Sequence, residues 1–203
     1  LPNKEELDSF MHYMGALREL SDEFTQNMIL GLKGKDIMNV LARSVLGLYT
    51  LDPKADDTSV DNLIDQSLNL IAKFPTIIAY SYHAMRHAYQ RKTLSIRHPE
   101  PEMSTAENFL MMLKGKDKYS KLDADILDLA LILHADHGGG NNSTFTIRVT
   151  SSTGTDTYSA VASAISSLKG PLHGGANHEV LGMMQDIKEN VKDWSSEKEV
   201  REY

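Results

Sequence analysis

Four of the eight histidines lie in two glycine-rich segments, and they are the residues best suited to chemistry. His134 and His137 belong to LHADHGGGN, whereas His173 and His178 belong to GPLHGGANHE. Three imidazoles together with Asp136 form a ligand set that suits zinc or another first-row metal ion. The same imidazoles can instead bind and polarise carbonyl and carboxylate groups as proton donors. The spacing of the histidines is compatible with both kinds of site.

The order of the residues around His137 argues against the metal site. Helical phosphohydrolases that bind metal ions through adjacent His and Asp residues have the histidine first, whereas this chain has Asp136 before His137. A pair spaced like His134 and His137 shares one helix face and is common at helix ends that simply pack against neighbours. We therefore predict no metal ion. The remaining histidines are predicted to have ordinary packed or solvated roles: His12, His83, His87 and His98.

The two glycine-rich segments are predicted to be junctions between helices. Residues 138–140 are glycines that can end a helix, and Asn141 can cap the next one. In the second segment His173 stands among glycines, which let a backbone and a ligand approach closely. Helix N-termini point N–H groups outward and so favour carboxylates, while no phosphate-binding G-x-x-x-x-G-K-[ST] sequence occurs. The residues themselves predict a site for an anionic small molecule with a carbonyl group.

Apolar residues recur at helical spacing through most of the chain, which predicts an all-α fold around the two junctions. Asp36 is a candidate N-cap, and Ser104 with Glu107 forms a candidate capping box. Helices are predicted over residues 36–49, 59–73, 104–115 and 158–168. A further helix is predicted to run from Ser120 or Asp123 to the first glycine-rich segment. Two more are predicted, one after the HGGAN turn and one that begins at Ser195 and Ser196.

Three segments are expected to interrupt this helical pattern. Pro75 is expected to break or kink the helix that begins near Ser59. Residues 96–103 contain two prolines and are predicted to form a loop. The β-branched residues between Thr144 and Thr157 allow a short strand.

Charge and composition exclude several classes of function. The 203 residues include 21 Lys and Arg against 28 Asp and Glu, and the net charge of −7 argues against nucleic-acid binding, which needs a basic surface. The chain has no cysteine, which excludes disulfides and fits a reducing cytosol. No stretch approaches the ~20 apolar residues of a membrane span, and the acidic N-terminal sequence does not resemble a signal peptide. We expect a soluble cytoplasmic protein.

The two histidine segments resemble the signature motifs of one enzyme family. HADHGGGNNSTFT is similar to the citrate synthase motif that leads from a long helix to the oxaloacetate pocket, and GPLHGGANHEVL is similar to the family's second signature. LIAKFPTIIAYSY and AENFLMML resemble further segments of the family in the expected order. The chain is thus identified as a member of the citrate synthase family, of the bacterial type, covering most of the large domain and the start of the small one.

The resemblance implies a multi-helical citrate-synthase fold, a reaction and roles for particular residues. The reaction is condensation of acetyl-CoA with oxaloacetate to give citrate and CoA, with no metal or redox cofactor. His173 is implied to stabilise the enol or enolate of acetyl-CoA, and His137 to bind oxaloacetate. Ser143 is implied to orient the His173 ring. His134 has a structural or a ligand role, and Asn141 shapes its turn.

The chain also lacks part of the family's pattern. The third signature, P-G-[FY]-G-H with a second catalytic histidine, is absent from the 203 residues, as are the later catalytic aspartate and the arginines that hold the substrate carboxylates. The resemblance divides the chain into a partial large domain, residues 1–176, and the first helices of the small domain, residues 177–203, truncated before that domain is complete. We expect this polypeptide alone to be inactive, with the activity belonging to a longer chain.

Three other functions stay open at this level. A 2-methylcitrate synthase, which uses propionyl-CoA, would carry the same two signatures. A metal-dependent helical hydrolase is the alternative of a different class, and a non-catalytic regulatory module on the same fold is a third. The family is normally a homodimer, and the helices predicted over 36–49, 104–115 and 158–168 are candidate interface elements, although core packing explains their apolar stripes equally well.

Overall fold

The computed structural model describes residues 2–135 and 138–203 of the chain. Within these residues the regular structure is helical, and the all-α prediction is confirmed. The helices are α1 (Lys4–Ala16), α2 (Asp22–Phe24), α3 (Ile37–Leu48), α4 (Val60–Gln90), α5 (Thr105–Lys114), α6 (Lys121–Ala135), α7 (Asn142–Ser151), α8 (Thr157–Lys169), α9 (Pro171–Asn190) and α10 (Glu197–Glu202). A π-helical turn, Thr25–Leu30, extends α2, and a 3-10 turn, Tyr49–Leu51, extends α3.

Helix starts that depend on local caps form as predicted. The Asp36 carboxylate accepts a hydrogen bond from the Asn39 N–H at 3.0 Å and so begins α3. Ser104 and Glu107 form a reciprocal capping box at α5. Of the two candidate starts for α6, Ser120 is the correct one, because the helix begins at Lys121. Ser196 caps α10, because its side chain accepts a hydrogen bond from the Glu199 N–H.

Pro75 does not break its helix, so the predicted break is wrong, whereas the alternative of a kink stays a prediction. Helix α4 runs without interruption for 31 residues and contains Pro75. A proline cannot donate to the carbonyl four residues earlier, which here belongs to Ile71, a residue on the exposed side of the helix where water can bond that oxygen. The opposite side is buried both before and after the proline, at Leu70 and Ile77. Packing of this continuous apolar face outweighs the local cost of the proline.

The β-branched segment forms helices rather than a strand. Most of it lies in α7, and its last residue, Thr157, begins α8. Thr146 and Thr150 donate their hydroxyls to the carbonyls four residues earlier, at 2.7 and 2.8 Å, so their side chains are accommodated within the helix. Helix α7 packs along α8, and this tertiary contact overrides the local β preference.

The HGGAN segment is helical, although the sequence predicts a turn there. Helix α9 begins at Pro171, at a position where a missing N–H costs nothing, and it continues through both glycines. The proposed domain boundary between residues 176 and 177 falls within this helix, so the division into domains stays a prediction.

The core lies between α3, α4, α5 and α8. Its most buried apolar side chains include Val45, Ile77 and Met112, and Ile165 of α8 joins the same cluster. The three helices named as interface candidates therefore bury apolar residues inside this chain. Among the described residues, no helix is long and apolar enough to span a membrane.

Apolar side chains remain exposed on two helices that contribute little to this core. On α6 these are Leu122, Ile126, Leu129, Leu131, Ile132 and Leu133, and on α9 they are Leu172, Val180, Leu181, Met183 and Met184. The only buried residue of α6 is Ala124. Helix α6 leads into the first histidine segment, and helix α9 contains most of the second.

Asp52 joins the end of α3 to two other helices. Its Oδ2 accepts hydrogen bonds from Gln66 Nε2 of α4 and from the Tyr158 hydroxyl of α8, both at 2.8 Å, and its Oδ1 accepts one from the Lys54 N–H at 2.8 Å. Desolvation raises the pKa of Asp52, but the hydrogen bonds from the Lys54 backbone, Tyr158 and Gln66 outweigh it, so the pKa is lowered. The folded chain therefore favours the ionised carboxylate.

We expect Asp52→Asn to destabilise the chain by about 1–2 kcal/mol at neutral pH, because it removes a charged acceptor of three hydrogen bonds. A group whose pKa is lowered on folding stabilises the fold above its ordinary pKa, and that stability is lost as the pH falls through the folded pKa. Urea unfolding at a series of pH values should show the difference between variant and parent shrinking on acidification. Asp128→Asn, on exposed α6, is the control and should change stability by less than about 0.5 kcal/mol. A difference independent of pH would contradict this role for the Asp52 charge.

Candidate active site

His173 lies in the first turn of α9, immediately after the junction with α8. Gly170 accepts hydrogen bonds on its carbonyl from the N–H groups of His173 and Gly174, at 3.0 and 2.9 Å, and these bonds close the first turn. His173 is half-buried. A helix N-terminus carries partial positive charge, which favours an anionic group beside the ring.

Ser143 holds the His173 ring from the start of a different helix. Asn141 caps α7 by accepting a hydrogen bond from the Thr144 N–H at 2.8 Å, and Ser143 is the second residue of that helix. The Ser143 hydroxyl oxygen lies 2.8 Å from His173 Nε2 and 3.1 Å from the carbonyl oxygen of Ala164 on α8. This one hydroxyl therefore contacts α8 and α9 from α7.

The Ser143 hydroxyl has a single proton to share between two acceptors. If it donates to the Ala164 carbonyl, then the Ser143 oxygen must accept a hydrogen bond from His173 Nε2–H, and a neutral ring has no proton on Nδ1. If it donates instead to His173 Nε2, the neutral ring carries its proton on Nδ1. The direction of this bond decides whether the outer nitrogen of His173 is an acceptor or a donor.

Helix α8, which Ser143 contacts at the Ala164 carbonyl, is bonded to its neighbours at several points. Thr150 of α7 and Ser163 of α8 share a hydrogen bond between their hydroxyls at 3.0 Å. At the end of α8, Lys169 Nζ lies 3.1 Å from Asp36 Oδ2. Desolvation raises the pKa of Asp36, but the Asn39 N–H and the Lys169 ammonium together lower it by more, so the ion pair forms at neutral pH. The sequence did not single out Ser163 or Lys169, because their partners are known only once α8 is placed beside α3 and α7.

The first glycine-rich segment is placed only in part. Asp136 and His137 lie outside the described residues, so the role predicted for His137 is not tested. Gly138 has a φ of 73°, a left-handed conformation that favours glycine. Arg148 of α7 reaches back to this segment, with Nη2 3.5 Å from the position that a Cβ on Gly139 would occupy. It brings positive charge to the junction, and no feature of the sequence pattern singles it out.

His134 is bound to its own helix. Its Nδ1 lies 2.7 Å from the Ala130 carbonyl oxygen four residues earlier, and since a carbonyl only accepts, Nδ1 carries the proton. This contact suits a structural role at the end of α6. The four other histidines make contacts of the ordinary kind: His12 lies 3.7 Å from Glu102, His83 bonds the Met112 carbonyl at 2.9 Å, His87 bonds the Lys92 carbonyl at 2.9 Å, and His98 lies 3.5 Å from the Tyr80 hydroxyl.

The metal hypothesis gains no support from the part of the chain that is described. In residues 2–135 and 138–203, no group of three or more His, Asp or Glu side chains is arranged to hold a metal ion. Asp136 and His137, on which that hypothesis rested, lie outside these residues.

Comparison with known proteins points to one family. The family model for "Citrate synthase, C-terminal domain" matches residues 1–202. Citrate synthase of Deinococcus radiodurans is 41% identical over 187 residues, which cover 92% of this chain and 48% of that protein. The 2-methylcitrate synthase 1 of Corynebacterium glutamicum is 40% identical over 163 residues, covering 77% of this chain and 41% of that protein.

The fold is similar to that of solved citrate synthases. One is the Thermoplasma acidophilum enzyme, solved as a ternary complex with carboxymethyl coenzyme A and oxaloacetate, with a TM-score of 0.78 at 27% identity over 95% of this chain and 47% of that one. The chain spans about half the length of the curated relatives it matches. By its family match, its relatives and its fold, the chain belongs to the citrate synthase family.

Proposed function

We propose that this chain supplies the enolate-stabilising part of a citrate synthase site. The reaction joins the methyl carbon of acetyl-CoA to the keto carbon of oxaloacetate, and water then cleaves the thioester to release citrate and CoA. The observation that carries the proposal is the half-buried His173 ring, held through Nε2 by Ser143 at the start of α9 in a chain of this family. Its other nitrogen, Nδ1, is the one left for substrate.

The chemistry of the first step explains why an imidazole N–H is needed. Removing a proton from a methyl group beside a thioester moves negative charge onto the thioester oxygen. A donor already aimed at that oxygen stabilises the charge as it develops. His173 can donate from Nδ1 when Ser143 donates its proton to Nε2, so the proposed role selects this direction of the Ser143–His173 bond. The first turn of α9 adds partial positive charge on the same side.

The remaining residues of the two segments have supporting roles in this proposal. His137 binds oxaloacetate from the segment between α6 and α7, and Arg148 adds positive charge beside that segment. Asn141 and His134 have structural roles in this proposal, since Asn141 caps α7 and His134 bonds a backbone carbonyl of its own helix. The reaction as proposed uses no metal ion and no redox cofactor, since proton transfers, one carbon–carbon bond and one hydrolysis account for every change.

We further propose that catalysis requires a longer chain than these 203 residues. The relatives are about twice as long, and the P-G-[FY]-G-H turn of the family is absent from this sequence. The apolar side chains left exposed on α6 and α9 support the same proposal, because single soluble domains rarely leave so many together uncovered. A homodimer formed through large-domain helices, as in the family, would cover part of them. The lack of cysteine fits a cytoplasmic enzyme.

A second candidate, 2-methylcitrate synthase, is favoured by one observation. The Corynebacterium glutamicum relative of that name is 40% identical to this chain, close to the 41% of the citrate synthase from Deinococcus radiodurans. The two enzymes differ in the acyl-CoA they use, by a single methylene.

His173→Ala should lower kcat about 10²–10³-fold in a family-length protein that contains this chain, because the variant loses a preorganised donor to the enolate oxygen. The measurement is oxaloacetate-dependent release of free thiol from acetyl-CoA. His178→Ala, five residues later in α9, is the control and should retain activity. The 203-residue chain itself should release no thiol. Release by the chain alone, or full kcat in His173→Ala, would contradict the proposal.

Acetyl-CoA should be preferred over propionyl-CoA by the same protein. One methylene in a fitted pocket changes kcat/KM by roughly 10–200-fold. Steady-state kinetics with both thioesters at saturating oxaloacetate measure the ratio. A preference for propionyl-CoA would assign the chain to the 2-methylcitrate synthases instead.

Ser143→Ala should change which nitrogen of the neutral His173 ring carries the proton. In the parent chain, long-range proton–nitrogen NMR spectra should show the Nδ1–H form, because Ser143 donates to Nε2. The alanine variant should give a mixture of both forms, while Ser143→Thr, which keeps a hydroxyl, should restore the parent spectrum. Ser166→Ala is the control, since that hydroxyl bonds only its own helix, at the Ala162 carbonyl. A parent ring protonated on Nε2 would show that Ser143 donates to Ala164 and would refute the proposed direction.

A further inference from the structure

We propose that Gly174 is a positioning residue for His173. Its lack of a side chain lets α9 begin so close to α8 that the His173 ring reaches Ser143. The catalytic consequence rests on the function proposed above, whereas the positioning itself is a claim about geometry and can be tested without activity.

Gly174 is needed for space rather than for backbone conformation. A Cβ built on Gly174 would lie 2.1 Å from the carbonyl oxygen of Leu168 and 3.3 Å from its carbonyl carbon. These are backbone atoms of α8, so they cannot swing aside as the end of a flexible side chain would. The residue lies inside helix α9, in a conformation that any amino acid adopts. Any side chain at this position therefore has to push the two helices apart.

On α8, the contact with Gly174 lies one helical turn from the contact with Ser143, the residue that holds the His173 ring. The Ser143 hydroxyl oxygen lies 3.1 Å from the carbonyl oxygen of Ala164, and Gly174 lies against the carbonyl of Leu168, four residues later on the same side of α8. The first turn of α9 thus contacts α8 directly through the backbone at Gly174, and it contacts α7 through the His173 ring and Ser143. Because the two residues are adjacent, a displacement at Gly174 moves the ring away from Ser143.

Gly175 provides a matched control. It is the next residue of the same helix, and a Cβ built on it meets nothing within 4 Å. Alanine raises helix propensity over glycine at both positions. Any difference between the two alanine variants therefore reports the contact with Leu168 and not the loss of a glycine.

The first test uses the 203-residue chain and NMR of its histidine rings. Gly174→Ala should shift the His173 ring signals and change their tautomer pattern towards that of Ser143→Ala, whereas Gly175→Ala should leave them as in the parent. Thermal unfolding should show a lower Tm for Gly174→Ala and an equal or higher Tm for Gly175→Ala. A parent-like His173 spectrum in a folded Gly174→Ala chain would overturn the proposal. Loss of all structure, including the α3–α4–α5 core, would also overturn it, because Gly174 would then be a general stability residue.

The second test measures thiol release by the family-length protein. Gly174→Ala should lower kcat by about 10²-fold, as expected for a misplaced catalytic group, with little change in KM for oxaloacetate. Combined with Ser143→Ala, it should cost less than the product of the two single effects, because both changes act on the same ring. Multiplicative losses, or a rise in KM alone, would refute positioning through Ser143. If the parent protein has no activity, the proposed function fails while the NMR test of positioning still stands.

Discussion

One proton constrains the whole candidate site, because the Ser143 hydroxyl has only one to give and lies within reach of both Ala164 O and His173 Nε2. The Ser143 oxygen belongs to α7 and lies within hydrogen-bond distance of α8 and α9. Each of the three helices must therefore be placed to within a fraction of an ångström for the Ser143–His173 bond to form. Asn141 sets where α7 begins, and hence where Ser143 points. The junction at Gly170 sets where α9 begins, and hence where the ring lies.

Helix α8 is the common support of these contacts, and the rest of the fold holds it at both ends. At its start, the Tyr158 hydroxyl bonds the Asp52 carboxylate, which is itself tied to α4 through Gln66. At its end, Lys169 pairs with Asp36, the residue that also caps α3. The carboxylates of Asp36 and Asp52, whose pKa values are lowered, thus hold α8 in place. Ser143 and Gly174 both lie against backbone carbonyls of this helix. Stability of the core and geometry of the site are therefore linked through α8.

How much could be predicted from the sequence depended on the range of the interaction. Caps at Asp36 and Ser104 involve partners three residues away, and these were predicted correctly. The continuation of α4 through Pro75 and the helical form of residues 144–157 depend on packing against distant elements, which local propensity does not contain. The family resemblance named Ser143 beside His173, but the contact of Gly174 with Leu168 requires the placed helices. The sequence shows only that Gly174 and Gly175 are adjacent glycines. Such a pair indicates that another group approaches the backbone closely, but it does not identify that group.

The direction of the Ser143 bond also limits what His173 can do. A neutral ring that accepts a hydrogen bond at Nε2 carries its proton on Nδ1, so it has no free lone pair with which to take a proton from a methyl group. The same residue cannot donate to the enolate oxygen and act as the base in one step. Under the proposed function, enolisation therefore needs a second group to take the methyl proton. The family resemblance implies an aspartate for that role, so in the proposed reaction His173 supplies one half of a catalytic pair.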